Sequence, residues 1–253
     1  MAVTSTNTSR ALQGAIESLY VAFGQYQMPT TSTYCKHCVT DAEDKRLRST
    51  PLKQLTQEDV ARYSFKAIST WGTVEQFKHM LPRLFEIVAT ERYRYNPEVL
   101  FQKPRLGGLP TWPEPEQRAL LNFCVALWQE ALSHHPLIER LPSFASIDDC
   151  LCSIGQILDD LKPLLNSWNE NTSSTATLHL VDFAIENACA LREGRGLSNA
   201  FWDTRRVQMQ QVAEWFLAQE FALALRDVEK ATPMADFRED LRNAILRFRG
   251  QRN

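Results

Sequence analysis

Apolar residues return every three or four positions along almost the whole of this 253-residue chain, and alternating β-branched runs are nearly absent. That spacing lays an apolar stripe down one side of an α-helix and cannot serve a half-buried strand. Leu12, Ile16, Leu19, Tyr20 and Phe23 make one such stripe over residues 10–25. Val60, Tyr63, Ala67 and Ile68 make another, and Val74, Phe77, Leu81, Leu84, Phe85 and Val88 a third. Leu120, Leu121, Cys124, Leu127, Trp128 and Leu132 continue the pattern in mid-chain. About eight helices are expected in total. The chain therefore reads as all-α, an irregular multi-helix bundle or a set of solenoid-like antiparallel helix pairs. No fixed repeat length appears, so a regular repeat array is not expected.

Helix ends are marked by residues that satisfy free backbone groups. Thr40 and Glu43 have capping-box spacing ahead of a helix over 41–48, and Thr56 with Glu58 and Asp59 opens the next one. Gly72 is expected to end that helix after Trp71, and Thr73 to cap its successor. Pro82 should kink or divide the helix in which it lies. Residues 95–115 carry five prolines and two glycines and read as a long surface connection with one turn at 98–101. Pro113 or Pro115 then starts a helix running to about residue 133. Further helices are expected over 146–168 with a break near Pro163, and over 177–193, 197–225 and 233–250. The expected organisation is one all-α domain over 1–253, with a flexible N-terminus over 1–9 and a possible sub-division near the polar, Ser/Thr-rich stretch 166–177.

Composition narrows the function. Lys and Arg total 28 against 30 Asp and Glu, a formal charge of −2, so the bulk positive field of a non-specific nucleic-acid binder is missing. No stretch approaches the roughly 18 uncharged apolar residues of a membrane span, and the polar N-terminus has no signal-peptide core. Six cysteines are too sparse for a disulfide scaffold. A cytoplasmic protein that does not enter the membrane is the expectation. Nucleophile-elbow, HExxH, glycine-rich phosphate-loop and calcium-loop patterns are all missing, which leans the reading away from an enzyme.

Three sets of residues remain as candidates. Cys35 and Cys38, with Lys36 and His37 between them, are a CxxC pair able to hold one metal ion in a tight loop. A structural zinc wants two more donors, for which Cys150 with Cys152, or His134 with His135, are the available residues. The same pair also admits a redox dithiol, weakened by the lack of a βαβ pattern, or two unbonded thiols in a packed loop. Arg92, Tyr93, Arg94, Tyr95 and Trp112 interleave basic and aromatic groups, which suits a protein interaction surface and, less well, single-stranded nucleic acid. Arg62, Lys66, His79 and Arg83 form an anion or acidic-partner face if two helices bring them together. Adjacent carboxylates at Asp148-Asp149 and Asp159-Asp160 point about 100° apart on a helix and make no catalytic dyad.

The segment Cys35-x-x-Cys38, followed by Pro51-Leu52-Lys53-Gln54-Leu55-Thr56, Arg62-Tyr63-x-Phe65-Lys66-Ala67-x-x-Thr70-Trp71-Gly72, Phe77-Lys78-His79-x-Leu81-Pro82-Arg83 and Thr111-Trp112-Pro113, resembles a family of uncharacterised bacterial soluble helical proteins. The resemblance covers about the first half of the chain and implies a bacterial, soluble, helical protein with no assigned activity. The expected function is that of a non-catalytic protein–protein interaction protein, an adaptor or an immunity-type inhibitor, with a protein partner and no cofactor. The alternatives are a zinc-binding module or metal-dependent enzyme built on Cys35 and Cys38, and a nucleic-acid-binding accessory protein.

Overall fold

The computed structural model describes residues 8–136, 143–192 and 194–218. Within them the chain forms eleven α-helices and three short 3₁₀ turns; strand pairing is limited to two isolated bridges, both at Trp71. The all-α reading holds, with more segments than the eight expected. The helix expected over 233–250, the end of the one over 197–225 and residues 1–7 lie outside the described residues. Residues 8–9 are ordered by the first helix, because the Ser9 hydroxyl accepts the Leu12 N–H as its N-cap.

The chain divides into two compact units, Met1–Glu130 with Leu141–Ser143, and Ala131–Arg140 with Phe144–Asn253. In the first, α1 (Arg10–Ala22) packs its Leu12, Ile16 and Leu19 stripe against α4 (Val74–Thr90). Capping boxes at Thr40/Glu43 and Thr56/Asp59 start α2 (Asp41–Ser49) and α3 (Gln57–Lys66). Pro82 does not divide α4; it is buried within one continuous helix that forgoes a single backbone bond. Residues 95–115 are not a surface connection. They coil into α5 (Pro97–Phe101), α6 (Lys103–Leu106) and a 3₁₀ turn over Leu109–Thr111, and Pro97, Leu100, Phe101, Leu109 and Trp112 are buried. Phe101 lies 4.8 Å from Phe85, and Phe85 5.3 Å from Phe123 of α7 (Glu114–Ser133). Apolar content explains the difference: a proline-rich segment that still carries large hydrophobes is driven inside.

The second unit contains α8 (Ile147–Ile157), α9 (Lys162–Glu170), α10 (Ser174–Arg192) and α11 (Arg206–Leu217). The expected break near Pro163 is real, with the proline in the first turn of α9. The 166–177 stretch contributes only a short link inside this unit. Its core is aromatic: Trp168 stacks on Trp215 at 5.0 Å, and Phe183 sits 5.8 Å from Trp168 and 5.2 Å from Phe216. Trp202 packs against Gly155, where an added Cβ would come within 2.8 Å of the indole, and its Nε1 donates to Asp148 at 3.0 Å.

Candidate functional site

The site is built on a corner of the first unit. After α3 the chain turns back on itself: Thr70 and Trp71 both donate their N–H to the Lys66 carbonyl, and Ile68 is held at φ 67°. Positive φ is strained for a β-branched residue and persists only where its surroundings over-determine it. Gly72 follows at φ 79°, its missing Cβ leaving room for the Gln76 side chain, and the Thr73 hydroxyl accepts the Gln76 N–H to start α4. Gly72 and Thr73 play the parts their residue types suggest, but α3 stops at Lys66, and residues 67–71 form the corner itself.

Trp71 fixes this corner. Its indole is buried edge-on against Tyr63 at 5.4 Å, and Nε1 donates to the buried Asp44 at 3.0 Å. Asp44 also accepts Arg48 Nε at 2.7 Å. The CxxC segment is then laid along the corner: Gly72 N–H donates to the Thr33 carbonyl at 2.7 Å and Cys35 N–H to the Thr70 carbonyl at 2.9 Å. From that anchor Cys38 N–H folds back onto the Cys35 carbonyl at 2.8 Å, and Arg62 Nη2 holds the Cys38 carbonyl at 2.7 Å. Both thiols are half-buried and free. The His37 backbone N–H, the Cys38 thiol and the charge of Lys66 hold the Cys35 thiol below its ordinary range, against a smaller opposing effect of burial.

Parts of all three candidate sets converge on α3. Arg62 bridges Glu43 and the CxxC turn, and Lys66 stands beside Cys35. On the other side, Arg94 reaches Glu58 of α3 at 3.2 Å, and the Tyr95 ring lies 5.9 Å from Phe65. Phe65 is 50% exposed and Tyr95 40%, with Arg92 exposed beside them. Phe65 was not among the candidates, yet it carries a signal: it lies off the stripe of Val60, Tyr63 and Ala67, so a phenylalanine there has to face out of the core.

Other members are corrected. Tyr93 and Trp112 are buried and are not surface anchors. Tyr93 hydrogen-bonds Ser64, and burial pushes its hydroxyl up to about 12. Trp112 donates to the Gly107 carbonyl at 2.8 Å and lies 5.9 Å from Phe23. His79 and Arg83 do not join Arg62 and Lys66 in one face. His79 Nδ1 is spent on the Tyr26 carbonyl at 2.9 Å, and Arg83 is clamped by the Leu55 carbonyl, Glu86 and Glu91 at 2.8–2.9 Å. Among the described residues no third histidine, cysteine or carboxylate joins Cys35 and Cys38 in a metal-holding group. Cys150 and Cys152 are buried within α8, and the His134 carbonyl together with that of Ala131 accepts His179 Nε2.

Beneath the corner, Lys78 and Glu116 form a buried ion pair at 2.7 Å, with side chains 8% and 1% exposed. Tyr26 donates its hydroxyl to Glu116 at 2.6 Å and accepts Lys78 at 3.0 Å, while Lys78 Nζ lies 4.4 Å over the Trp112 ring. This is a structural polar core that pins the Tyr26 segment, α4 and α7 together.

The second unit holds a cluster of ionisable groups. His135 Nε2 meets Asp182 at 2.9 Å, the ring of His179 is 4.8 Å away, and burial pushes His179 down to about 4. Glu186 keeps part of its surface in solvent, yet burial of the rest and the charges of Asp148 and Asp149 push it up to about 7 from its usual 4.5. A raised carboxyl favours folding below its unfolded value, and that contribution is lost as pH rises to the folded value. Glu186→Gln is therefore expected to stabilise the protein by about 1 kcal/mol near pH 8, after allowance for solvent screening, and to match the wild type near pH 4. Urea denaturation at the two pH values checks it. His179 acts in the opposite sense, favouring folding above its ordinary 6.5 and opposing it as pH falls towards 4.

Comparison with family models, with curated proteins and with solved structures finds no match for this chain.

Proposed function

We propose that this is a non-catalytic interaction protein, an adaptor or an immunity-type inhibitor, which binds a protein partner through the exposed face of α3. The observation that carries the reading is the exposed Phe65–Tyr95 ring pair. Two adjoining aromatic rings left in water have a hydrophobic contribution still to make, and aromatic residues ringed by arginine are typical interface anchors. Arg92 and Arg94 flank Tyr95 in the chain, and Arg62 and Lys66 stand on the side of α3 that holds the CxxC turn. Arg62 and Arg94 are already neutralised by Glu43 and Glu58, whereas Lys66 and Arg92 have no carboxylate partner among the described residues. That pattern suits a partner presenting carboxylates around an apolar recess. It supplies too little net positive field for a phosphate backbone, which disfavours the nucleic-acid reading.

The test places a photo-crosslinking residue at Phe65 or, as a control, at Val21, which is 82% exposed on α1. In cells of the native host, position 65 is expected to yield a discrete protein adduct that position 21 does not. The double variant Phe65→Ser, Tyr95→Ser should weaken recovery of that partner at least about tenfold, and added salt should weaken it further. Equal labelling from both positions, or an adduct with nucleic acid, would overturn the reading.

A further inference from the structure

We propose that Cys35 and Cys38 form a redox-active dithiol that undergoes thiol–disulfide exchange with low-molecular-weight disulfides. The inference does not depend on the interaction reading.

Turn geometry carries it. The Cys38 N–H bond to the Cys35 carbonyl at 2.8 Å closes a four-residue turn, and the Val39 N–H joins the same carbonyl at 3.0 Å. Such a turn holds its first and fourth Cα atoms within about 7 Å, a spacing compatible with the roughly 4.4–6.8 Å that a disulfide spans between Cα atoms. The turn is fixed from outside at both ends, by Thr70 at the Cys35 N–H and by Arg62 at the Cys38 carbonyl. The His37 backbone N–H and the Cys38 thiol also favour the Cys35 thiolate, which is the attacking species.

Access separates this pair from other thiols. Cys35 and Cys38 reach solvent, whereas Cys124, Cys150 and Cys152 are wholly buried in helices. Metal chemistry is the competing use of a CxxC pair, and zinc needs four donors where, among the described residues, this corner assembles two. Disulfide chemistry needs only the two that are present.

The exchange balances in two steps. The Cys35 thiolate attacks one sulfur of a small disulfide, forming a mixed disulfide and releasing one thiolate. The Cys38 sulfur then attacks Cys35, the mixed disulfide breaks, and a second thiolate leaves. The protein loses two protons and two electrons, the small disulfide is reduced to two thiols, and the two cysteine protons end on them.

The test equilibrates the full chain in buffers of reduced and oxidised glutathione, quenches with acid, alkylates the free thiols and maps the peptides. The wild type is expected to become two hydrogens lighter through a Cys35–Cys38 disulfide, to retain no glutathione, and to revert with dithiothreitol. Cys38→Ser should instead hold a persistent glutathione adduct on Cys35, because nothing resolves it. Cys35→Ser should react at least about tenfold more slowly. A wild type that stays reduced across all ratios, or that keeps glutathione as the Cys38→Ser variant does, would overturn the proposal. So would zinc bound to the purified protein with oxidation beginning only once a chelator is added.

Discussion

Replacing Trp71 by alanine is expected to lower the unfolding free energy by about 5 kcal/mol, enough to leave the first unit marginal or unfolded. Truncating a fully buried tryptophan alone costs about 3–5 kcal/mol, because the lost apolar transfer is compounded by the cavity left behind. Here the buried Asp44 also loses its indole donor and keeps only Arg48. Trp71→Phe separates the two contributions. It keeps a ring against Tyr63, gives up the Nε1 bond, and should cost about 1–3 kcal/mol. Urea denaturation reads the free energies, and the rates at which Cys35 and Cys38 are alkylated read the corner. A Trp71→Ala variant with nearly unchanged stability would mean that the corner is held by its backbone hydrogen bonds alone.

Lys78→Met carries the second large effect, an expected loss of about 3–5 kcal/mol. The methionine fills much of the volume under Trp112, so packing is not the main issue. What remains is the Glu116 carboxylate, 1% exposed, with its counter-ion gone. A buried charge stripped of its partner is among the costliest changes a core can suffer. The Tyr26 hydroxyl still donates to Glu116, and Gln25 Nε2 stands 3.1 Å from the same oxygen, yet neither supplies charge. Lys78→Met combined with Glu116→Leu should therefore be more stable than Lys78→Met alone, since the pair pays its desolvation cost in the wild type as well. Additive losses in that double-mutant cycle would show that the two groups are not coupled.

Much of the first unit could be read before its structure was known, and the legible parts share a cause. Thr40, Thr56 and Thr73 cap helices because a hydroxyl one position ahead of a helix satisfies a free N–H two or three residues on, an interaction that needs no distant residue. Gly72 was readable for the same reason, since a left-handed backbone at a helix junction selects glycine from local sterics. The aromatic residues were not. Tyr93 and Tyr95 are neighbours of like chemistry two positions apart, yet one is bonded to Ser64 inside the unit and the other lies on Phe65 at the surface. Residues 95–115 fared likewise, because their prolines describe the backbone and say nothing of which neighbours stand ready to cover Leu100, Phe101 and Trp112.

Within the four cationic residues grouped as one face, the division is equally instructive. Arg62 and Lys66 sit one helical turn apart on α3, so their shared side follows from helical period alone. His79 and Arg83 sit one turn apart on α4, but their partners are the Tyr26 and Leu55 carbonyls and the carboxylates of Glu86 and Glu91. Local period and capping chemistry thus dictated most helix starts, the left-handed turn at Gly72 and the closeness of two thiols in sequence, since each depends on atoms only a few bonds apart along the chain. Which rings stay wet, which cations stay free and which carboxylate is buried beside Lys78 depended on contacts between segments tens of residues apart, and those exist only once the helices have packed.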